Sequence, residues 1–180
     1  MSQTTEKPNK AEETTAEKYS ALIENARTLT LATVDEAQVP QASYVPFVRD
    51  GAGNYLVYVS DLSTHTANLL RSRKASLMII EDEAQATHLF ARQRVNFDCS
   101  ARELNRNTAE FEAAAAFMRE RFPQVFPGML EMLDFHFIEL SPQRGRLVLG
   151  FGQAYDVGGE YMSEIKHVGG NGRGHTRAAK

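Results

Sequence analysis

The sequence predicts a mainly β protein with short α-helices, and a small antiparallel barrel fits it best. Apolar and polar residues alternate with a period of two in several short runs, such as TLTLATV at residues 28–34. Compact turn sequences such as DGAGN at 50–54 join neighbouring runs, which is typical of hairpins. Helical periodicity is confined to short stretches. About seven strands, mostly joined by hairpins, favour a barrel over a doubly wound sheet.

The elements follow in order along the chain. A helix is predicted at 16–26, where Tyr19, Leu22 and Ile23 have helical spacing. The clearest helix is predicted at 107–123, because Thr108 can cap its start and Pro123 follows its end. Shorter helices are predicted at 63–72 and 127–135. Strands are predicted at 28–34, 41–50, 55–60, 75–82, 87–105, 135–140 and 144–157, with a turn at SPQRG between the last two.

The chain divides into three parts. Residues 1–16 are polar, lack aromatic side chains and are predicted to be disordered. Residues 17–157 form the predicted barrel domain. Residues 158–180 form a C-terminal arm rich in glycine and containing histidine.

Composition limits the class of protein. A net charge of −3 offers no basic surface for nucleic acid. With Cys99 as the single cysteine, neither an intrachain disulfide nor a CxxC zinc site can form. Apolar runs stay short of the ~20 residues of a membrane span, and the N-terminus lacks the apolar segment of a secretory signal. We expect a cytoplasmic protein that binds neither nucleic acid nor membrane.

The predicted barrel also limits where a ligand can bind. A barrel of this size fills its interior with side chains, so a large ligand needs a site outside it. A cleft between two copies of the chain is the simplest such site. We therefore expect a homodimer with an intersubunit ligand cleft.

The last residues, HVGGNGRGHTRAAK from His167 to Lys180, combine glycines with two histidines. Glycine lets a backbone wrap closely around a ligand, and histidine is the commonest metal ligand. His175, in GRGHTR, is the first candidate metal ligand, and His167 is the reserve. A frayed chain end is the alternative interpretation.

Other polar residues stand at positions suited to a ligand site. Arg92 and Arg94 alternate in FARQRVNF and are predicted to lie side by side on one strand face, where guanidinium groups can bind carboxylates bidentately. Asp134 stands between a predicted helix and a predicted strand, where the rim of the barrel is expected. His136 is predicted to point away from its aromatic neighbours, towards solvent.

The run from Leu29 to Asp82 resembles the split-barrel flavin-binding superfamily that includes pyridoxamine-phosphate oxidase. A threonine-rich strand, an acidic turn, a P-x-x-S strand, a glycine turn, an aromatic strand and an S…H…N-L helix carry the resemblance. It covers residues 20–152 and implies an FMN-binding-like split β-barrel. Flavin-binding members have a lysine or arginine near the start of the short helix, where this chain has Ser63-Thr64-His65. Because neutral histidine is a poor phosphate partner, we expect weak or absent FMN binding.

The whole chain, with its arm, is most similar to the haem-utilisation branch of this superfamily, the HutZ/HugZ family. The resemblance implies that haem b binds between the subunits of a homodimer. It also implies that the porphyrin is opened with O₂ and an external electron donor, which releases iron. An FMN-dependent oxidoreductase of the same fold is one alternative, and a haem carrier or storage protein without turnover is another.

The same resemblance implies a role for each candidate residue. His175 is the axial ligand of the haem iron, and Asp134 accepts the second N–H of that imidazole, which raises its basicity. Arg94, and with a weaker match Arg92, pairs with the haem propionates. His65 lies near the haem as a further pocket residue.

Overall fold

Eight antiparallel strands and four α-helices make up residues 13–169, the part of the chain that the computed structural model describes. The helices are α1 (Thr15–Asn25), α2 (Thr64–Ser72), α3 (Ala109–Arg121) and α4 (Phe126–Met129). The strands are β1 (Thr28–Val34), β2 (Pro40–Arg49), β3 (Tyr55–Ser60), β4 (Lys74–Ile80), β5 (Arg94–Leu104), β6 (Phe135–Gly150), β7 (Gln153–Gly158) and β8 (Glu164–His167).

The strands form one sheet in the order β3-β2-β1-β4-β5-β6-β7-β8, and pairing of β3 with β6 closes the first six into a barrel. Alternate side chains point inward and fill it, among them Leu31, Leu77, Phe97 and Leu147, each at most 1% exposed. A second apolar cluster, around Phe137, packs outside the barrel with α3 and α4. The predicted mainly β barrel with short helices is confirmed.

β6 runs without a break through SPQRG, so the turn predicted there is wrong. Pro142, which lacks an N–H, pairs with Cys99 at a bulge, where the loss of a ladder hydrogen bond is tolerated. A Cβ at Gly145 would lie 2.6 Å from the buried ring of Phe97, so glycine is required by close packing. Pro142 and Gly145 therefore resemble a turn in the sequence but lie inside one long strand, one at a bulge and the other at a close packing contact.

Several predicted boundaries shift in the structure. β5 begins at Arg94, so the strand predicted from residue 87 is too long, and residues 89–91 form a 3₁₀ turn instead. α4 ends at Met129, well before the predicted helix end at 135. Thr14 and Glu17 form a capping box that starts α1, so residues 13–16 belong to the folded part and not to a disordered segment. Residues 1–12 lie outside the described part.

The sheet also continues beyond residue 157, where the predicted barrel domain ends. β7 pairs with the distal half of β6, and β8 pairs with β7. The hydroxyl of Tyr19 in α1 donates to the carbonyl of Met162 at 3.2 Å and ties the β7–β8 connection to the barrel. The Gly- and His-containing arm therefore begins after β8. Among residues 13–169, no helix is both long enough and apolar enough to cross a membrane.

Candidate functional site

Asp134 lies at one rim of the barrel, immediately before β6. The Ser60 hydroxyl donates to its Oδ2 at 2.9 Å, and the N–H of Asp61 donates to its backbone carbonyl at 2.8 Å. Ser60 ends β3, and Asp61 begins the connection from β3 to α2. The carboxylate is exposed, and within residues 13–169 its only hydrogen-bond donor is Ser60. It therefore keeps acceptor capacity for a further N–H.

His65 lies at the same rim, in the first turn of α2. The hydroxyl of Thr66 donates to the carbonyl of Ser60 at 2.6 Å, so the start of α2 is tied to the end of β3. His65 is half-buried, and burial lowers the pKa of its imidazole. A histidine that is neutral at pH 7 suits an apolar ligand surface better than a phosphate.

His136 forms a bridge at this rim that the sequence did not predict. Its Nδ1 lies 2.6 Å from a carboxylate oxygen of Glu103, and its Nε2 lies 2.8 Å from one of Asp61. His136 and Glu103 are on the inward rows of β6 and β5, and Asp61 directly follows β3, where the barrel opens. Partial burial lowers the pKa of His136, but hydrogen bonds to the two carboxylates raise it by more, so the net pKa is raised. His136 is thus hydrogen-bonded to two carboxylates, and the expectation that it faces solvent is wrong.

This bridge is expected to make stability depend on pH. Because the folded-state pKa of His136 lies above its unfolded value of about 6.5, the bridge stabilises fully below that pH and is lost as pH rises through the folded pKa. Urea unfolding of wild type and His136→Gln should therefore give free energies of unfolding whose difference shrinks as the pH rises. Exposed His88→Gln is the control. A difference that stays constant from acid to alkaline pH would contradict the raised pKa.

Arg94 and Arg92 lie at the opposite end of β5. Arg94 is the first residue of the strand and pairs with Val148 of β6. Arg92 precedes the strand, donates to the carbonyl of Glu81 and lies 3.5 Å from the carboxylate of Glu83. The predicted placement of both arginines on one strand face is therefore wrong, because β5 begins only at Arg94. Among the described residues, Arg94 has no carboxylate partner.

His167 ends β8, on the side of the sheet near Arg94. Its Nε2–H donates to the carbonyl of Gly152 at 3.1 Å, and its ring meets that of Tyr155 edge-on, with centroids 5.1 Å apart. The register of β8 on β7 and of β7 on β6 leaves two strands, β6 and β7, between it and the start of β5. His175 lies outside the described residues. The described part of the chain ends at Gly169, just after His167.

Exposed apolar side chains accompany both ends of the barrel. Leu62 and Leu133, beside the aspartate, are 92% and 82% exposed. Phe90 and Phe151, near the start of β5, are 93% and 65% exposed. Such side chains are more favourable in contact with another apolar surface than in water. Both ends are therefore suited to contact a ligand or a second protein.

Within residues 13–169, the candidate residues do not share one pocket. β5 has 11 residues, and at ~3.3 Å per residue it separates the two ends by roughly 35 Å of strand. A groove of about 790 Å³ between α1 and β4 contains Arg92, but neither His65, Asp134 nor Arg94 lines it. The described candidate residues therefore lie at two separate ends of the barrel.

A closed barrel of six antiparallel strands, filled with side chains and extended by β7 and β8, defines the split-barrel class of proteins. The family described as pyridoxamine 5′-phosphate oxidase matches residues 15–149, and the chain belongs to this family.

Within it, the chain is similar to heme oxygenase HutZ of Vibrio cholerae serotype O1, with 40% identity over 142 residues, 79% of this chain and 80% of that protein. The crystal structure of HutZ superposes with a TM-score of 0.70 and 36% identity, covering 73% of this chain and 92% of HutZ. Campylobacter jejuni ChuZ gives a TM-score of 0.80 at 28% identity, covering 89% of this chain and 64% of ChuZ. The chloroplastic heme oxygenase HOZ of Arabidopsis thaliana is 30% identical over 69% of this chain and 36% of HOZ. The resemblance to the haem-utilisation family is confirmed.

Proposed function

We propose that this protein binds haem b in a cleft between two subunits of a homodimer and breaks it down oxidatively, releasing iron. The 40% identity to heme oxygenase HutZ supports the substrate and the reaction. The observation that carries the proposal is an exposed Asp134 carboxylate, held by Ser60 and Asp61 beside exposed Leu62 and Leu133. Such a carboxylate can accept the second N–H of an iron-ligating histidine, and the leucines can pack on a porphyrin.

A twofold dimer completes this site, because each subunit contributes a different end of its barrel. His175 follows His167 by eight residues, which reach at most about 29 Å when fully extended. β5 alone spans roughly 35 Å. The proposed dimer brings the arm of one subunit to the Asp134 rim of the other subunit. A twofold axis then produces two identical clefts.

Each side chain has a separate role in this cleft. His175 ligates the haem iron, and Asp134 of the opposing subunit accepts its second N–H, which strengthens electron donation by the imidazole. Arg94 binds a propionate with a guanidinium that meets no carboxylate elsewhere in the described chain. Neutral His65 lines the cleft. Bound haem supplies the oxygen chemistry, with O₂ and an external electron donor, while the apolar side chains exclude water.

A haem storage protein without turnover is the second candidate, because the crystal structure of the Vibrio cholerae relative describes HutZ as the heme storage protein. An FMN-dependent oxidoreductase ranks third, since Ser63-Thr64-His65 offers no cation to the FMN phosphate. We place the protein in the cytoplasm, where an external reductase can supply electrons.

One experiment separates these functions. Haem is titrated into the purified protein, and the complex then receives ascorbate under air with a ferrous iron chelator present. The proposed function predicts a Soret band that appears on titration and decays as the chelator captures iron. A Soret band that persists identifies a storage protein. Protein purified with stoichiometric FMN and showing no Soret band on titration identifies a flavin enzyme.

The shared cleft is expected to restore activity in mixed dimers. Asp134→Asn and Arg94→Ala impair opposite halves of the same cleft, so each homodimer has two defective sites. A heterodimer of the two variants has one cleft with both defects and one that is intact. Random mixing gives half heterodimers, so activity should recover to about a quarter of the wild-type value. Sedimentation checks that each sample is dimeric. No recovery in a mixture shown to contain heterodimers would place both residues in one subunit's site.

A further inference from the structure

Arg106 lies in the turn between β5 and α3 and reaches the loop that joins α4 to β6. Its guanidinium donates to the carbonyls of Met132 at 2.7 Å and Phe135 at 3.0 Å, and lies 3.5 Å from that of Leu130. These carbonyls stand on both sides of Asp134 in the chain. One side chain therefore holds the loop before and after the aspartate.

Arg106 is itself held in place by the apolar cluster outside the barrel. Its guanidinium stacks over the ring of Phe111, 5.2 Å from the centroid, and donates to the hydroxyl of Tyr58 at 3.0 Å. Tyr58 in turn stacks on Phe135, with centroids 5.1 Å apart. Both Phe111 and Tyr58 are buried. The donors of Arg106 are thus fixed relative to the barrel.

The loop around Asp134 has little else to hold it. Residues 131–134 are all exposed, so no side chain of this stretch is buried in the core. Besides Arg106, the N–H of Asp61 binds the carbonyl of Asp134, and the N–H of Met132 donates to the carbonyl of Met129 at the end of α4 at 3.1 Å. Because an exposed loop without buried side chains moves readily, the place of the carboxylate depends on these few hydrogen bonds.

We infer that Arg106 is a positioning residue for haem breakdown, acting through Asp134, and this inference rests on the proposed function. The Nη2 of Arg106 contacts the carbonyls of Met132 and Phe135 and the Tyr58 hydroxyl, and the planar face of its guanidinium lies over the ring of Phe111. A lysine ammonium has the same charge but lacks the planar face that lies over Phe111. The requirement is therefore for arginine itself and not only for a positive charge.

The test compares Arg106→Met, Arg106→Lys and the control Arg102→Met. Arg102 lies on β5 and pairs with Glu110 and Glu139 without contacting the loop. In haem-free protein, Arg106→Met is expected to speed amide hydrogen exchange at Asp61 and across the loop. With haem bound, it is expected to reproduce the ferric absorption spectrum of Asp134→Asn and to lower turnover about 10-fold. Arg102→Met should match wild type in each measurement.

A double-mutant comparison decides whether the effect passes through Asp134. In the Asp134→Asn background, Arg106→Met is expected to add no further loss of turnover. A wild-type haem spectrum in Arg106→Met, or losses that multiply in the double variant, would overturn the inference. Should Arg106→Met not fold, Arg106→Lys is judged by the same two outcomes. If wild type itself does not break down haem, the proposed function fails; if wild type and Asp134→Asn behave as proposed and only Arg106→Met matches wild type, this inference alone fails.

Discussion

His175→Ala is expected to lose most of its affinity for haem, on the order of 100-fold or more. Partners that only orient a ligating histidine already contribute about 10–100-fold in affinity or activity, and His175 is proposed to be the ligand itself. Any haem that remains bound would take water or another side chain on the iron and show a shifted Soret band. Titration of haem into purified wild type and variant, followed at the Soret maximum, measures both effects.

His167→Ala is the matched control for this loss. The Nε2–H of His167 already donates to the carbonyl of Gly152, so its removal should leave haem affinity near the wild-type value. A chain that ends at Gly169 is expected to behave like His175→Ala, because it removes the arm and leaves β8 whole. If His175→Ala keeps the wild-type Soret spectrum and full turnover, the arm does not supply the ligand through this residue. His167→Ala then becomes the test of the reserve ligand.

Asp134→Asn is expected to bind haem but to break it down about 10–100-fold more slowly. The asparagine amide oxygen can still accept the Ser60 hydroxyl, so the shape of the rim is kept. As a neutral acceptor, it forms a weaker hydrogen bond with the second N–H of the ligating imidazole. The histidine therefore donates less electron density to iron. The rate of Soret decay with ascorbate under air, measured at saturating haem, reports turnover separately from affinity.

Ser60→Ala is expected to lower turnover less than Asp134→Asn does, because it removes the hydroxyl that orients Asp134 but keeps the carboxylate. Its turnover is expected to lie between those of wild type and Asp134→Asn. Asp35→Asn, in the turn between β1 and β2, is the control and should turn over haem at the wild-type rate. Turnover of Asp134→Asn at the wild-type rate would remove Asp134 from the mechanism.

Local patterns in the sequence were sufficient to predict the class of fold. Strand β1 alternates between buried and more exposed residues because one face of it fills the barrel. α3 begins where Thr108 accepts the N–H of Phe111, a contact between residues three apart in the chain. Such signals lie within a few neighbouring residues and can therefore be read without the structure. The glycine and histidine content of the arm is equally visible, although residues 170–180 lie outside the described part.

Contacts between distant parts of the chain were decided only by the tertiary structure. Pro142 and Gly145 resemble a turn locally, but a bulge and the ring of Phe97 place them within β6. Strand pairing and register likewise decide which carboxylates bind His136 and which carbonyls bind Arg106. They also decide how far Asp134 lies from Arg94. The sequence by itself determined a β-barrel with a histidine-bearing arm, because alternation and capping are local. The structure decided which side chains share a rim, because strand register is set by packing across the whole barrel.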